Sequence, residues 1–287
     1  MNLCLFASDL HGKISRYEAL FKAIKKEKPD YVFLGGDLLP HRKFEAKRSE
    51  IDEDNFVQDF LIRKFKGLKE KMDCMYPDVF IIPGNDDQKV IFDQTLEGEK
   101  DGLWRNIHNQ FVEIGKYRFY GYGCVPPTPF RIKDWERFDI SKEISQGCIA
   151  PTSGYHSTTI NQDDQNTTIQ DDLKALFKED DLGFGVFLFH SPPYNTGLDL
   201  AQTVSGNPNL EAVIHVGSKA IRQLIDEKQP CITLHGHIHE SARLTGEWKQ
   251  LLGRTCSFSA AHDGPELALV SFDLRNPHAA KRRLIKT

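Results

Sequence analysis

Seven residues of this chain, all of types that bind cations, fall into short clusters separated by long intervals. They are Asp9 and His11 in Asp9-Leu10-His11, Asp37 after Gly36, Asn85 after Gly84, a lone His190, and His237 and His239 in Gly236-His237-Ile238-His239. Carboxylate, imidazole and amide donors in this mixture suit hard to borderline divalent metals. Each cluster follows a short apolar run (Leu3 to Ala7, Asp30 to Leu34, Val79 to Ile82, Val186 to Phe189, Cys231 to Leu234) that reads as a buried strand. In open α/β sheets ligands sit outside the carboxyl ends of strands. Side chains far apart in sequence would therefore meet at one edge. The bland alternative is a coincidence of Asp and Asn turn residues with structural histidines. The repeated strand-end placement argues against it.

The elements that position these clusters can be read from hydrophobic spacing. Ile14, Tyr17, Leu20, Phe21 and Ile24 recur at helical intervals, with Lys25, Lys26 and Lys28 near the helix end and Pro29 as its stop. Strand, helix and strand in that order form a βαβ unit with parallel strands. Phe56, Phe60, Leu61, Phe65 and Leu68 mark a second amphipathic helix, and residues 111–114 and 117–122 a hairpin around Gly115-Lys116. Leu173, Leu176 and Phe177 mark another helix. A further helix opens at Gly217-Ser218, with Ser218 as its N-cap, and a late strand covers Leu267 to Phe272. The basic end, Lys281-Arg282-Arg283, is expected to be solvated. One domain over 1–287 is expected, with insertions near 40–55 and 124–170. The second insertion carries four prolines (126, 127, 129 and 151) and reads equally as a lid or a passive surface excursion.

Composition removes several function classes. A formal net charge of -4 gives no bulk attraction to nucleic acid or anionic membrane, although a local basic patch stays open. The six cysteines include no Cys-x-x-Cys pair, which excludes a zinc ribbon and a thioredoxin-like motif and fits a reducing cytoplasm. No run reaches the length of a membrane span, and no signal peptide is seen, so a cytoplasmic protein is expected. The Gly-x-x-x-x-Gly-Lys phosphate loop and the Gly-x-Ser-x-Gly elbow are both missing.

The clusters, taken in order, resemble the calcineurin-like metallophosphoesterases, whose pattern is Asp-x-His, Gly-Asp, Gly-Asn-His-Asp/Glu, a lone His and Gly-His-x-His. The resemblance spans residues 9 to 239. It implies an α/β fold, a two-sheet β-sandwich flanked by α-helices in four layers (α/β/β/α). It also implies two divalent ions, one held by Asp9, His11, Asp37 and His239, the other by Asp37, Asn85, His190 and His237. Asp37 would bridge them, and a bridging hydroxide would attack phosphorus. The donor set admits Mn, Fe, Zn, Co or Ni and suits Mg less well. The implied function is a dimetal-dependent phosphoester hydrolase acting on a small-molecule or nucleotide phosphoester, a diester in preference to a monoester. Asp37, Asn85 and Asp86 would be the catalytic residues. Nucleic acid as substrate and the oligomeric state stay open. Two other readings stand beside this one: a binding scaffold of the same fold with weak or absent catalysis, and a protein phosphatase.

One departure matters. Asp86 stands where the family carries histidine. An Asp is ordinarily ionised at neutral pH, and two dications would hold it so; it could donate a proton only if burial or Asp87 raised its pKa. Asn85, itself a ligand, and His215 and Tyr194 outside the ligand set are the expected substrate contacts: His215 precedes a helix N-terminus, and Tyr194 follows His190 closely enough to stack on a leaving group. Asn195 and Thr196 are pocket-lining candidates. His235 reads as a core residue or a support for the ligands, Asp87 as either a turn residue or a functional one, and His262 as a turn residue. His41, His108, His156 and His278 carry no expected chemistry.

Overall fold

The structure, a computed structural model, describes residues 2–40, 55–159, 166–178, 181–202 and 212–287. Strand β1 (Leu3–Ala7) explains the architecture in miniature. Cys4 and Phe6 enter one apolar cluster while Leu5 and Ala7 enter another, so both faces are buried and the run is apolar throughout. Strands β2 (Tyr31–Gly35), β3 (Asp78–Ile82) and β7 (Gly185–Phe189) alternate in the same way.

Two six-stranded sheets result. The first has the order β14-β13-β1-β2-β3-β4, where β4 is Arg105–Asn106, β13 Leu267–Asp273 and β14 Asn276–Ile285. The second has the order β11-β12-β10-β7-β6-β5, where β5 is Gln110–Ile114, β6 Tyr117–Tyr122, β10 Ile232–His235, β11 Lys249–Leu252 and β12 Thr255–Ser259. β1 through β4 run parallel, as do β6, β7, β10 and β12. A short antiparallel hairpin of β8 (Leu200–Gln202) and β9 (Val213–His215) stands apart.

The sheets face each other across an aromatic seam. Phe33 stacks on Phe80, and Phe80 on Phe119 from the opposite sheet, with ring centroids 5.4 and 5.1 Å apart. Helices cover the outer faces. α1 (Ile14–Glu27) and α2 (Arg63–Met72) pack Tyr17, Leu20, Phe65 and Leu68 against the first sheet. On the second, α5 (Ile169–Phe177) and α6 (Lys219–Lys228) lie together, and Tyr122 of β6 donates its hydroxyl to Asp172 at 2.7 Å. Short helices α3 (Lys89–Phe92), α4 (Thr95–Lys100) and α7 (Ser241–Thr245) complete the set. The four-layer sandwich expected from the sequence is the observed fold.

Most expected elements appear within a residue or two, including the 110–122 hairpin with Gly115 at φ +60 and Ser218 accepting the Ile221 N–H as N-cap. The second helix opens with a π-type turn at Val57–Ile62 before α2. Lys281, Arg282 and Arg283 lie in β14, where Lys281 and Arg283 are solvent-exposed as expected; Arg282 is half-buried and donates to the Ala261 carbonyl at 2.6 Å, and Arg283 pairs with Glu27 at 2.7 Å. Lysine and arginine on an edge strand also discourage pairing with another chain. The insertion expected near 40–55 falls almost wholly outside the described residues. The one near 124–170, where described, is tied to the sheet edge: Trp135 donates to the Asp87 carbonyl at 2.6 Å, and Asp134 accepts the Lys89 N–H at 2.8 Å.

Candidate metal centre

Five parallel strands deliver the seven residues. Asp9 and His11 follow β1, Asp37 follows β2, Asn85 follows β3, His190 follows β7, and His237 and His239 follow β10. The loops are stitched together by backbone bonds: Asp9 N–H to Gly36 O at 3.0 Å, His11 N–H to Asp37 O at 2.8 Å, and Gly236 N–H to His190 O at 2.9 Å. Asp9, His11, Asp37 and His237 have φ of 56, 47, 52 and 72, in the left-handed region. A side chain there costs roughly 1–2 kcal/mol. Such strain persists only where surrounding contacts over-determine it, as these bonds do.

Three glycines make room. A Cβ on Gly84 would lie 2.2 Å from Asp37 Oδ1, one on Gly36 2.6 Å from His190 Nδ1, and one on Gly236 2.0 Å from Ser8 Oγ. The candidate ligands Asp37 and His190 therefore lie directly against glycine backbone.

Donor atoms converge in two places. Asp9, His11, Asp37 and His239 each offer one atom within 4.8 Å of the others. His11 Nε2 and His239 Nε2 are 3.1 Å apart, and His239 Nε2 is 3.1 Å from Asp9 Oδ1. In the second place, His190 Nδ1 is 2.7 Å from the Gly35 carbonyl, which can only accept, so that nitrogen carries the proton. Its Nε2 faces Asp37 Oδ2 and Asn85 Oδ1, both at 3.2 Å. Asn85 turns its amide N–H₂ to Asp86 Oδ1 at 3.1 Å, so its oxygen is the atom aimed inward. An imidazole nitrogen, a carboxylate oxygen and an amide oxygen thus meet with nothing to share among them but positive charge. The donor chemistry fits a divalent cation at both points.

The protein's own fields concentrate negative charge here, and the proton they draw onto His190 would have to leave before that ring could hold a cation. Burial opposes a charge on Asp9, yet the His239 hydrogen bond and charge hold its carboxyl down at about 2. Burial would likewise raise Asp37, but His190 and His11 and the Asp86 N–H hold it far below the usual range. Burial alone would lower His190, and Asp37 lifts it to about 10. Burial and His190 push His237 down to about 3, leaving a neutral imidazole able to ligate.

A family model described as calcineurin-like phosphoesterase matches residues 4–241. The chain belongs to the calcineurin-like phosphoesterase family. MJ1162, an uncharacterized protein of Methanocaldococcus jannaschii, is 29% identical over 168 residues, which cover 58% of each chain. The chain thus spans little more than half the length of that relative. The crystal structure of TT1561 of Thermus thermophilus aligns over 99% of both chains with a TM-score of 0.62 and 19% identity, a likeness of fold.

Within this phosphoesterase-family fold, the remaining candidates divide. Asp86 sits at the rim, its backbone N–H on Asp37 Oδ1 at 2.9 Å and its carboxylate 3.9 Å from His11 Nδ1. Asp87 has a structural task. It is fully buried and accepts the backbone N–H groups of Leu38, Leu39 and Gly84 at 3.1, 2.8 and 2.9 Å, clamping the Asp37 loop to the Asn85 loop. His235 is a core residue, held by Ser191 O and Thr233 Oγ1 and stacked on Phe189.

His215 and Tyr194 form a separate small cluster. Their rings meet edge to face at 5.8 Å, His215 Nδ1 lies 2.8 Å from Asp199 Oδ1, and Lys219 Nζ stands 5.3 Å over the Tyr194 ring. Thr196 is buried and bonded to Asp199 and Pro193 O, a loop brace; Asn195 gives its N–H to Asp199. Two residues escaped the sequence reading. Arg16 donates to Asp9 O and Gly264 O, both at 2.6 Å, and Asp199 is fully buried under five hydrogen bonds. An arginine within an apolar helical stripe was the available signal for the first.

Proposed function

We propose that the chain is a metal-dependent phosphoester hydrolase, with a phosphodiester as its preferred substrate. The observation that carries this reading is the convergence of His190 Nε2, Asp37 Oδ2 and Asn85 Oδ1 within 3.2 Å, beside the Asp9–His11–Asp37–His239 group. Asp9, His11, Asp37 and His239 would hold one divalent cation, and Asp37, Asn85, His190 and His237 a second. Mn, Fe, Zn, Co and Ni all suit these donors. When bound, such a pair supplies an activated water near neutral pH and stabilises charge on phosphoryl oxygens.

The chain's own contribution is positioning. Gly35 O and Ser191 O fix the His190 and His235 rings, and the Asp87 clamp holds the Asp37 and Asn85 loops in one frame. Asp86 takes the Asn85 amide N–H₂, so the Asn85 carbonyl oxygen is the atom that would face a bound cation. A diester is favoured on charge. Arg16, the guanidinium that reaches Asp9, spends both terminal nitrogens on carbonyls and is not offered to a phosphoryl dianion.

The test compares bis-p-nitrophenyl phosphate with p-nitrophenyl phosphate under Mn²⁺, with Asp37→Asn as blank. Faster diester turnover that vanishes in the variant is expected. No turnover of either ester with Mn, Ni, Co, Fe or Zn would overturn the reading and favour a binding scaffold.

A further inference from the structure

Breaking an unactivated phosphoester requires a proton for the departing oxygen. Among the described histidines, His11, His190, His237 and His239 belong to the ligand group. His235 is bonded at both nitrogens. Those of His262 face Glu266 and Asp263 at 3.1 and 3.9 Å. His108 accepts the Gly123 N–H at 3.0 Å and packs between Tyr122 and Trp135. His156 is engaged with Pro151 O, and His278 of β14 with Cys256 Sγ of β12.

His215 is different. Its Nδ1 is held by Asp199, a carboxylate with no exposed surface, and its side chain is 32% exposed. Asp199 cannot turn away, because it also accepts the N–H groups of Asn195, Thr196 and Gly217 at 3.1, 2.8 and 3.0 Å. With those bonds in place the Asp199 oxygens fix the ring and leave Nε2 as the nitrogen facing outward.

The hairpin that carries His215 is anchored to both ligand-bearing segments. On one side, Tyr194 N–H bonds Ser218 O and Ser218 N–H bonds Pro192 O at 3.0 and 2.9 Å, just past His190. On the other, Gln202 N–H of β8 bonds Glu240 Oε1 at 3.2 Å, next to His239.

We propose that His215 is the proton donor to the leaving group, with Asp199 as its positioning residue. This role rests on the phosphoester reading above. In the step, hydroxide (water that has given a proton to solvent) forms the new P–O bond. The P–O bond to the leaving group breaks, and its electron pair stays on the leaving oxygen. That oxygen takes the proton from His215 Nε2. The ring is left neutral, still donating from Nδ1 to Asp199, and regains its proton from solvent.

The variant of choice is His215→Asn, whose amide N–H can replace Nδ1 against Asp199 so that the hairpin is kept. Two diesters are compared under Mn²⁺: bis-p-nitrophenyl phosphate, whose leaving group needs little protonation, and a dinucleoside monophosphate, whose leaving group is an alkoxide. General acid catalysis contributes typically about 10²–10⁴-fold. The variant is therefore expected to lose on that order in kcat on the dinucleotide and distinctly less on the aryl ester, the difference between the two losses being the readout. Asp199→Asn would turn an amide toward the Asn195, Thr196 and Gly217 N–H groups, so for that variant the quantity read is its loss on the dinucleotide beyond its loss on the aryl ester.

A second readout does not use turnover. Carbethoxylation of His215, followed by mass spectrometry, should be slowed by inorganic phosphate with Mn²⁺, while that of exposed His278 is not. Equal losses on both esters, no loss on either, a wild type that cleaves only the aryl ester, or His215 unprotected by phosphate would each overturn the proposal. No turnover by the wild type on either ester would instead sink the phosphoester reading beneath it.

Discussion

Gly84→Ala tests the centre by volume alone, since it changes no charge and removes no ligand. The added Cβ would lie 2.2 Å from Asp37 Oδ1, 2.4 Å from Asp37 N and 2.7 Å from His190 Nε2, more than 1 Å short of ordinary contact with the first. None of these atoms can yield cheaply. Asp37 is buried with its Oδ1 on the Asp86 N–H, its nitrogen is main chain, and His190 is fully buried and bonded to Gly35 O. Overpacking of this kind costs about 1–3 kcal/mol. At about 2–4 °C per kcal/mol for a chain near this size, Tm should fall by roughly 2–12 °C. The relaxation must also displace a ligand, and a misplacement of about 1 Å costs on the order of 10²-fold in rate. Gly67→Ala is the control: it lies inside α2 with nothing within 4 Å of the added Cβ, so it should stabilise by about 0.5–1 kcal/mol and leave turnover unchanged. The measurements are Mn²⁺ affinity by calorimetric titration, diester turnover and thermal unfolding. A Gly84→Ala protein with wild-type affinity, rate and Tm would refute the crowding argument.

Three further outcomes are expected. Asp87→Asn must turn an amide N–H₂ toward main-chain N–H groups that now have a carboxylate, so it should lose roughly 1–3 kcal/mol in chemical denaturation and weaken Mn²⁺ binding; an unchanged denaturation midpoint would count against the clamp. Lys133 and Glu136 form a fully buried pair at 2.6 Å, so Lys133→Met should cost about 3–5 kcal/mol, with partial recovery on adding Glu136→Gln; equal stability of single and double variants would contradict this coupling. Burial, with the charges of Arg137 and Lys89 behind it, lowers His108 to about 3, so below its unfolded value near 6.5 only the unfolded chain takes up that proton. The His108 contribution is thus complete above pH 6.5 and is lost as pH falls toward 3, at most about 1.4 kcal/mol per pH unit. Stability of His108→Gln should fall less steeply than wild type between pH 6 and 4, and parallel curves would show that His108 is not the group involved.

What the sequence discloses about this protein depends on where each element gets its stability. β1, β2, β3, β7 and β10 are buried on both faces, so their apolar runs announce them, and the polar residues at their ends stand out by contrast. β14 has no such signature. Asn276–Ile285 alternates poorly and is rich in lysine and arginine because one side of it faces solvent; its strand character comes from pairing with β13. The β8–β9 hairpin and β11 escaped for the same reason: short edges whose partners supply the order. Asp87 and Asp199 were hard to weigh because their partners are main-chain N–H groups, which leave no residue pattern. The seven ligand candidates were legible as types and positions, whereas the left-handed backbone at four of them could not be read from a sequence that places no glycine there.

The spacing of the ligand group also bears on how the chain folds. Asp9 and His239, whose side chains touch, are 230 positions apart, and His190 reaches back 155 positions to Gly35. Contacts between such distant segments pay their loop-closure entropy before they gain anything, so the ring of donors is completed only as the two sheets come together. An unfolded chain offers no comparable site. If the donors hold a cation as proposed, its binding and folding are linked equilibria: a cation at 100 times its Kd would add about 2.7 kcal/mol to the native state. Chelation should lower the unfolding temperature of the whole chain, and a lesion in a distant strand should appear first as weakened cation affinity.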